Sequence, residues 1–103
     1  MDEKKTTSPE KEAALKTLRD QFKGTDADTQ KHRTLIALRQ FPLTTFDLSR
    51  GLDVYYPPAR IKELRDDGHK ILTLWRSVIT EAGIKHRVGL YVLTAEAGQE
   101  KAA

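Results

Sequence analysis

The hydrophobic period of the chain changes at Gly68, and this change limits the folds it can adopt. Before Gly68, apolar residues recur three or four positions apart, which is the spacing of one helix face. After it, residues 69–77 (HKILTLWRS) and 87–93 (RVGLYVL) roughly alternate and are rich in β-prone side chains. Residues 80–83 (TEAG) lie between them and are typical of a turn. The sequence therefore predicts an α+β domain in which helices precede a β-hairpin.

The first helix is predicted over residues 9–23, with Thr7 or Ser8 as its N-cap and Gly24 at its end. Proline suits the first turn, where its missing N–H costs nothing. The apolar residues of this helix form one narrow stripe: Leu15, Leu18 and Phe22. Two roles for the stripe stay open, namely packing against the rest of the chain and forming the surface of a dimer.

A second helix is predicted from Thr29 to Phe41, with Asp28 as its N-cap and Pro42 immediately after it. A short third helix begins with a loose capping box at residues 44–47 (TTFD), where Asp replaces the usual Glu. This third helix ends at the next glycine, residue 51.

A fourth helix is predicted over residues 57–67, because two prolines fit its first turn and Gly68 ends it. At 100° per residue, Pro57, Ile61 and Leu64 lie on one face together with Gly68. This face is predicted to pack on the apolar residues of the two preceding helices.

Positive charge is concentrated in the region that contains these later elements. The whole chain has 18 basic and 15 acidic residues, a net charge of +3. Residues 31–94 hold eleven basic and six acidic residues, a net charge of +5, whereas residues 1–30 carry −1. This distribution is compatible with nucleic-acid binding, and an ordinary solvated surface is the alternative.

Composition excludes several other classes of protein. Without cysteine, the chain has no disulfide scaffold, no Cys-ligated zinc and no thiol nucleophile. The three histidines lack the spacing of a metal-binding pair, so no metal or other cofactor is expected. No catalytic triad order, phosphate-binding glycine loop or carboxylate pair stands out, so an enzyme is not expected. Because no apolar run is long and the N-terminus does not resemble a signal peptide, a cytoplasmic protein is expected.

The order helix, short helix, turn, helix and hairpin within residues 29–94 resembles the small winged helix-turn-helix domains common in phage and prophage proteins. The resemblance implies a three-helix core plus a β-hairpin wing. The extra N-terminal amphipathic helix, residues 9–24, lies outside the resemblance. Residues 1–8 and 95–103 are expected to be disordered. The residues that carry the resemblance are Leu43-Thr44-Thr45, Gly51-Leu52, Pro58-Ala59-Arg60-Ile61, Glu63-Leu64-Arg65, Gly68-His69-Lys70-Ile71 and Tyr91-Val92-Leu93.

The resemblance implies binding of double-stranded DNA through helix 57–67 and the wing, residues 77–87. A phage- or prophage-type transcriptional regulator or accessory factor is expected, acting as a homodimer because operator sites are usually two-fold symmetric. The expected DNA-contacting residues are Thr44, Thr45, Arg50, Tyr55, Tyr56, Ala59, Arg60, Lys62, Arg76, Lys85 and Arg87.

Acidic residues on the same helix support an alternative, a winged-helix module that binds another protein through its acidic end or the apolar face of the wing. A competing prediction makes Tyr55 and Tyr56 partly buried residues at the turn. Trp75 is predicted to pack within its strand. Because both faces of the hairpin are apolar, Leu72 and Leu74 are predicted to meet either the first helix or a second subunit. The acidic residues concerned are Glu63, Asp66 and Asp67.

Overall fold

The computed structural model describes residues 8–98, which form three α-helices and a three-stranded sheet. The helices are α1 (Pro9–Gln21), α2 (Ala27–Gln40) and α3 (Pro57–Asp66), and the strands are β1 (Leu43–Thr44), β2 (Lys70–Ile79) and β3 (Lys85–Ala95). A single π-helical turn, Asp47–Gly51, lies between β1 and α3. The predicted α+β arrangement of helices followed by a hairpin is confirmed. No helix within residues 8–98 is long and apolar enough to cross a membrane.

Side-chain caps fix the starts of the first two helices. Ser8 Oγ accepts a hydrogen bond from the backbone N–H of Lys11 at 3.2 Å, so Ser8 caps α1. The prediction that Asp28 caps α2 is wrong. Asp26 is the cap, because its Oδ2 accepts from the backbone N–H of Thr29 at 3.0 Å and its Oδ1 accepts from Thr29 Oγ1 at 2.8 Å. The second helix therefore begins two residues earlier than predicted.

The predicted capping box at residues 44–47 is present. The N–H of Thr44 donates to Asp47 Oδ2 at 2.9 Å, and the N–H of Asp47 donates to Thr44 Oγ1 at 3.0 Å. The turn after the box is not the predicted short α-helix, because the N–H of Leu52 reaches the carbonyl of Asp47 and closes a π turn. Lys11 Nζ lies 2.8 Å from Asp47 Oδ2, so α1 contacts this capping box directly.

The hydrophobic core includes the N-terminal helix. Leu15 and Leu18 are buried, and Phe22 packs against the edge of the same cluster. Pro57, Ile61 and Leu64 of α3 are buried as predicted. The question left open by the sequence is thereby answered, because α1 packs within the chain and its apolar stripe is not free to form a dimer surface. The buried cluster comprises Leu15, Leu18, Ala37, Leu38, Leu43, Leu48, Leu52, Val54, Ile61, Leu64 and Ile71.

The sheet is antiparallel, in the order β1-β3-β2. The first strand was not predicted, and it places Leu43 opposite Tyr91 and Thr44 opposite Leu90. The hairpin strands extend two residues further toward the tip than predicted, as far as the pair of Ile79 with Lys85 on β2 and β3. β2 lies at one edge of the sheet, with β3 on one side only.

Four large apolar side chains of β2 lie on the surface: Leu72, Leu74, Trp75 and Ile79. Trp75 is 63% exposed, so the prediction that it packs within the sheet is wrong. Leu72 and Leu74 are 52% and 49% exposed. Because the apolar stripe of α1 lies in the core, it does not cover these two leucines. On this face of the hairpin, Leu72 and Leu74 of β2 are therefore open to solvent, whereas Val88 and Leu90 of β3 are buried.

The C-terminal segment remains attached to the domain beyond β3. Arg39 donates to both carboxylate oxygens of Glu96, at 2.8 and 2.9 Å, and the N–H of Ala97 donates to His69 Nδ1. The tail that the sequence predicts from residue 95 therefore has ordered contacts at its start. Residues 1–7 and 99–103, the rest of the predicted disordered ends, lie outside the described residues.

Candidate nucleic-acid interface

A buried arginine fixes the turn that leads into α3. Arg33 is only 2% exposed and donates to four backbone carbonyls: from Nε to Leu52 at 2.8 Å, from Nη1 to Phe22 and Gly24 at 2.6 and 3.2 Å, and from Nη2 to Asp53 at 3.0 Å. Burial lowers the pKa of Arg33, although a guanidinium stays charged in proteins. This one side chain thus joins the end of α1 to the turn before α3.

Gln30, one helical turn earlier on α2, makes a similar bridge. Its Nε2 donates to the carbonyl of Thr25 at 2.6 Å, and its Oε1 accepts from the N–H of Tyr55 at 3.0 Å. Between these contacts, Asp53 takes a left-handed backbone conformation with φ of 58°. The path of the chain into α3 is therefore set by side chains of α2. Sequence reasoning missed Gln30 and Arg33, because their partners are distant in the chain.

The two tyrosines before α3 are on the surface. Tyr55 and Tyr56 are 62% and 64% exposed. The competing prediction of partly buried residues at the turn is wrong, because the turn is filled by Leu52 and Val54 instead, both of them buried. Two neighbouring aromatic rings are thus presented at the start of α3, where a recognition helix meets base edges.

The start of α3 offers no free backbone donors for a phosphate. Pro57 and Pro58 have no N–H, and the N–H groups of Ala59 and Arg60 both reach the carbonyl of Tyr56, at 3.1 and 3.3 Å. Phosphate binding at helix N-termini depends on such N–H groups. Any contact with nucleic acid at this end must therefore come from side chains.

Three cations on or beside α3 are each paired with a carboxylate that lies in α3 or just after it. Arg60 holds Glu63 through two bonds of 2.8 Å, and Lys62 lies 2.9 Å from Asp66. Lys31 of α2 lies 2.9 Å from Asp67, just after α3. Arg60 lowers the pKa of Glu63, and Asp67 raises the pKa of Lys31. These pairs leave the outer face of α3 close to electrically neutral.

Arg65 is not a free cation for DNA. Its Nε and Nη2 donate to the carbonyl of Ile71 at 3.0 and 2.8 Å, and Nη2 also donates to Thr73 Oγ1 at 2.8 Å. Both acceptors belong to β2. Arg65 therefore fixes the start of the hairpin relative to α3, and so fixes where the wing lies.

The wing differs from α3 in that its cations have no carboxylate partners among the described residues. Within the described residues, no carboxylate lies within ion-pair distance of Arg76, Lys85 or Arg87. Arg87 lies opposite Ser77 and Lys85 opposite Ile79, whereas Arg76 lies opposite Val88. Directly opposite residues share a face of the sheet, and successive residues along a strand point to opposite faces. Positive charge is therefore present on both faces of the wing.

An aromatic ring belongs to this basic surface. The guanidinium of Arg87 lies 4.9 Å from the centre of the exposed Trp75 ring, a cation–π contact. Trp75 pairs with Gly89, where a Cβ would lie 3.4 Å from Thr73 Cγ2. Sequence reasoning gave Trp75 a packing role, and nothing in the local alternation distinguishes that role from an exposed one.

The predicted contact residues before α3 differ in accessibility. Thr44 is fully buried, and its hydroxyl is used in the capping box, so it has no surface to offer to DNA. Thr45 is half-buried. Arg50 is exposed, with its guanidinium 5.3 Å from the Phe46 ring centre. We therefore keep Arg50 and Thr45 as candidates and leave Thr44 out.

Metal binding has no support in the described part of the chain. No group of histidine, aspartate and glutamate side chains within residues 8–98 is arranged to hold a metal ion. The candidate site consists of basic and aromatic side chains of the wing and of the start of α3.

Comparison with known proteins identifies the fold family. The family model described as a winged helix-turn-helix domain matches residues 29–96, which is 68 of the 103 residues. No curated protein and no solved structure matches the chain. Winged helix-turn-helix domains are typically non-enzymatic modules that bind DNA. Because this match covers more than half of the chain, the chain belongs to the winged helix-turn-helix domain family.

Proposed function

We propose that this protein binds double-stranded DNA, with the wing as its main contact to the phosphates and the start of α3 as its base-reading element. One observation carries the proposal: Arg76, Lys85 and Arg87 lack carboxylate partners within residues 8–98, whereas Arg60 and Lys62 of α3 have them. Phosphate contacts supply most of the affinity of such proteins, and base contacts supply the specificity.

The cations of the wing are distributed so that the hairpin could lie between two phosphate chains. Lys85 and Arg87 lie on one face of the hairpin and Arg76 on the other, so each face can meet one chain. Tyr55, Tyr56 and Ala59 at the start of α3 would then face the adjoining major groove, where base edges carry distinct patterns of donors and acceptors.

The salt dependence of binding tests the proposal. A labelled duplex of random sequence is titrated with protein over a series of salt concentrations, and fluorescence anisotropy gives the dissociation constant. We expect the variant Lys85→Ala/Arg87→Ala to lower the slope of log K against log salt by about 1.8, since each phosphate contact contributes about 0.9.

A matched control changes two exposed lysines outside residues 77–87, Lys23→Ala/Lys70→Ala, and should leave the slope unchanged. If the wild-type protein binds no duplex at low salt, DNA binding is refuted. If both double variants have the same effect, the wing is not the phosphate contact.

We further propose that the protein acts as a homodimer joined through β2. This strand lies at the edge of the sheet, and its residues 71–75 (ILTLW) are uncharged, so it lacks the charges that usually protect an edge strand from pairing. Two such strands paired antiparallel around a two-fold axis would bring the exposed Leu72 and Leu74 of each copy together.

Sedimentation of the purified protein tests this dimer. Leu72→Glu/Leu74→Glu should yield a monomer, whereas Ile84→Glu, an equally exposed position at the hairpin tip, should leave the dimer intact. A wild-type protein that sediments as a monomer at every concentration would contradict the dimer and leave DNA binding by a single domain standing.

The proposed biological role is that of a regulator of transcription or an accessory factor in replication or excision, in a phage or prophage and in the cytoplasm of its host. This role rests on the sequence resemblance together with the DNA-binding proposal. Selection of bound fragments from a phage and host genome library should recover one or a few discrete sites. Recovery of fragments without any shared sequence would contradict a regulator.

The alternative of a protein-binding module at the acidic end of α3 has less support. Glu63, Asp66 and Asp67 are each paired with a cation of this chain, so they do not form a free acidic patch. A pull-down after nuclease treatment separates the alternatives, because a protein partner is retained whereas a contact through DNA is lost.

A further inference from the structure

We infer that Glu63 determines the specificity of α3: it holds Arg60 as a neutral pair that reads guanine and is only weakly attracted to phosphate. This inference rests on the proposed DNA binding and names the residues that would supply its specificity. Arg60 Nε donates to Glu63 Oε1 and Arg60 Nη2 donates to Glu63 Oε2, both at 2.8 Å.

The geometry leaves one side of the guanidinium available. Glu63 takes the Nε side, and no described residue accepts a hydrogen bond from Nη1 of Arg60. The two terminal nitrogens therefore retain N–H groups that can reach the N7 and O6 acceptors of a guanine, the commonest base contact of arginine. The Arg60 side chain is largely buried, with 12% of its surface exposed, so its orientation is restrained.

The charges of the pair distinguish a base from a phosphate. Attraction to a phosphate depends on net charge, and the carboxylate of Glu63 cancels most of the charge of Arg60 at that distance. Hydrogen bonds to guanine depend on donors aimed at neutral acceptors, and these donors remain. The low pKa of Glu63, caused by the Arg60 bonds, keeps the carboxylate ionised at neutral pH.

The neighbouring pair on α3 provides the comparison. Lys62 reaches Asp66 through a single contact of 2.9 Å, and both side chains are mostly exposed. Such a pair exchanges readily with solvent and phosphate, and an ammonium has no planar fork for a base edge. Asp66→Asn removes the same charge from the same helix without releasing Arg60, so it is the matched control for Glu63→Gln.

The experiment selects binding sites from a pool of randomised duplexes, by sequencing what the wild type, Glu63→Gln, Asp66→Asn and Arg60→Lys each retain. The wild type and Asp66→Asn should enrich a guanine at one position, and Glu63→Gln and Arg60→Lys should lose that enrichment. On a random duplex, Glu63→Gln should also steepen the salt slope by about 0.9, because one more cation becomes available to phosphate.

Several outcomes overturn the inference while leaving DNA binding intact: a wild type that binds duplex without enriching guanine, or a Glu63→Gln variant whose selected sites and salt slope match those of Asp66→Asn. Circular dichroism checks the fold of each variant. If Glu63→Gln does not fold, Arg60→Lys decides, because retained guanine enrichment in that variant contradicts the inference. A wild type that binds no duplex refutes the proposed function itself.

Discussion

Arg33 shows how much of this fold depends on single polar side chains. Its guanidinium is buried, and its partners among the described residues are four carbonyls that belong to two separate segments. A buried donor or acceptor without a partner costs about 1 to 3 kcal/mol. Arg33 therefore satisfies groups that would otherwise destabilise both the link after α1 and the turn before α3.

Replacing Arg33 with methionine should lower the free energy of unfolding by about 3 kcal/mol or more, since several buried carbonyls lose their donor at once. Urea denaturation followed by circular dichroism measures the change. Arg33→Lys should recover little of the loss, because a compact ammonium lacks the planar fork of five donors.

Arg39→Met is the control on the same helix. Arg39 is exposed, and its surface pair with Glu96 should contribute about 1 kcal/mol or less. Equal losses in Arg33→Met and Arg39→Met would show that Arg33 has no special structural role.

Among the elements, α1 lies outside the matched family region but inside the core. Leu15 packs against Gly51, where a Cβ would approach Leu15 Cδ1 to 2.8 Å, so the helix lies directly on the π turn. Lys11 reaches Asp47 in the same turn. The N-terminal helix is thus a structural part of the domain and supports the segment that precedes α3.

Leu15→Ala should therefore destabilise the whole domain by about 2 to 5 kcal/mol, the usual cost of such a truncation in a core. Lys16→Ala, on the exposed side of the same helix, should change stability by no more than about 0.5 kcal/mol. Urea denaturation of both variants measures the difference. Leu15→Ala with wild-type stability would indicate that α1 does not dock on the core in solution.

The cap of α2 predicts a pH dependence. Hydrogen bonds from the Thr29 side chain and backbone lower the pKa of Asp26 in the folded state. Its contribution to stability is therefore present above the ordinary carboxyl pKa and is lost as the pH falls through the lower, folded-state value.

Asp26→Asn keeps a good capping residue but removes the titration. The urea midpoint should therefore fall less in this variant than in the wild type between about pH 5 and about pH 2. Identical pH profiles for the two proteins would show that the charge of Asp26 does not contribute to the cap.

Elements whose signals are local could be predicted from the sequence. Three helices and the hairpin follow from periodicity, prolines and glycines, and the order of these elements was enough to suggest the family. β1 could not be predicted, because two residues become a strand only by pairing with Tyr91 and Leu90. The burial of Arg33 was equally hidden, since its acceptors lie 9 to 20 positions away in sequence.

The candidate site was predictable in composition but not in accessibility. Exposed Tyr55, Tyr56 and Trp75 contradict the usual burial of aromatic rings, and the local sequence gives no sign of it. The pairing of Arg60 with Glu63 and of Lys62 with Asp66 did have a signal, because the members of each pair are three and four residues apart on one helix.

In the molecule as a whole, paired and unpaired positive charges lie on different elements. The cations Arg60 and Lys62 of α3 are neutralised by carboxylates of the same helix, whereas the wing has unpaired cations among the described residues, and Arg65 joins the two elements through the start of β2. Under the proposed function, we expect such a protein to approach DNA wing first. General attraction would then come from the hairpin, and discrimination from the few side chains at the start of α3.

Trp75 can report which side of the molecule faces DNA, because it is the single tryptophan of the chain and lies beside Arg87 on the hairpin. If the wing contacts the duplex, saturating DNA should decrease quenching of Trp75 fluorescence by acrylamide, following the same binding curve as anisotropy. Trp75→Phe should still bind DNA, as measured by anisotropy, but should lack the tryptophan quenching signal, which shows that this signal comes from Trp75. Unchanged quenching at saturation would show that Trp75 stays in solvent and that the wing does not contact the duplex. In that case α3 alone would have to supply both the attraction to DNA and the specificity. The nearly neutral surface of α3 makes this combination difficult.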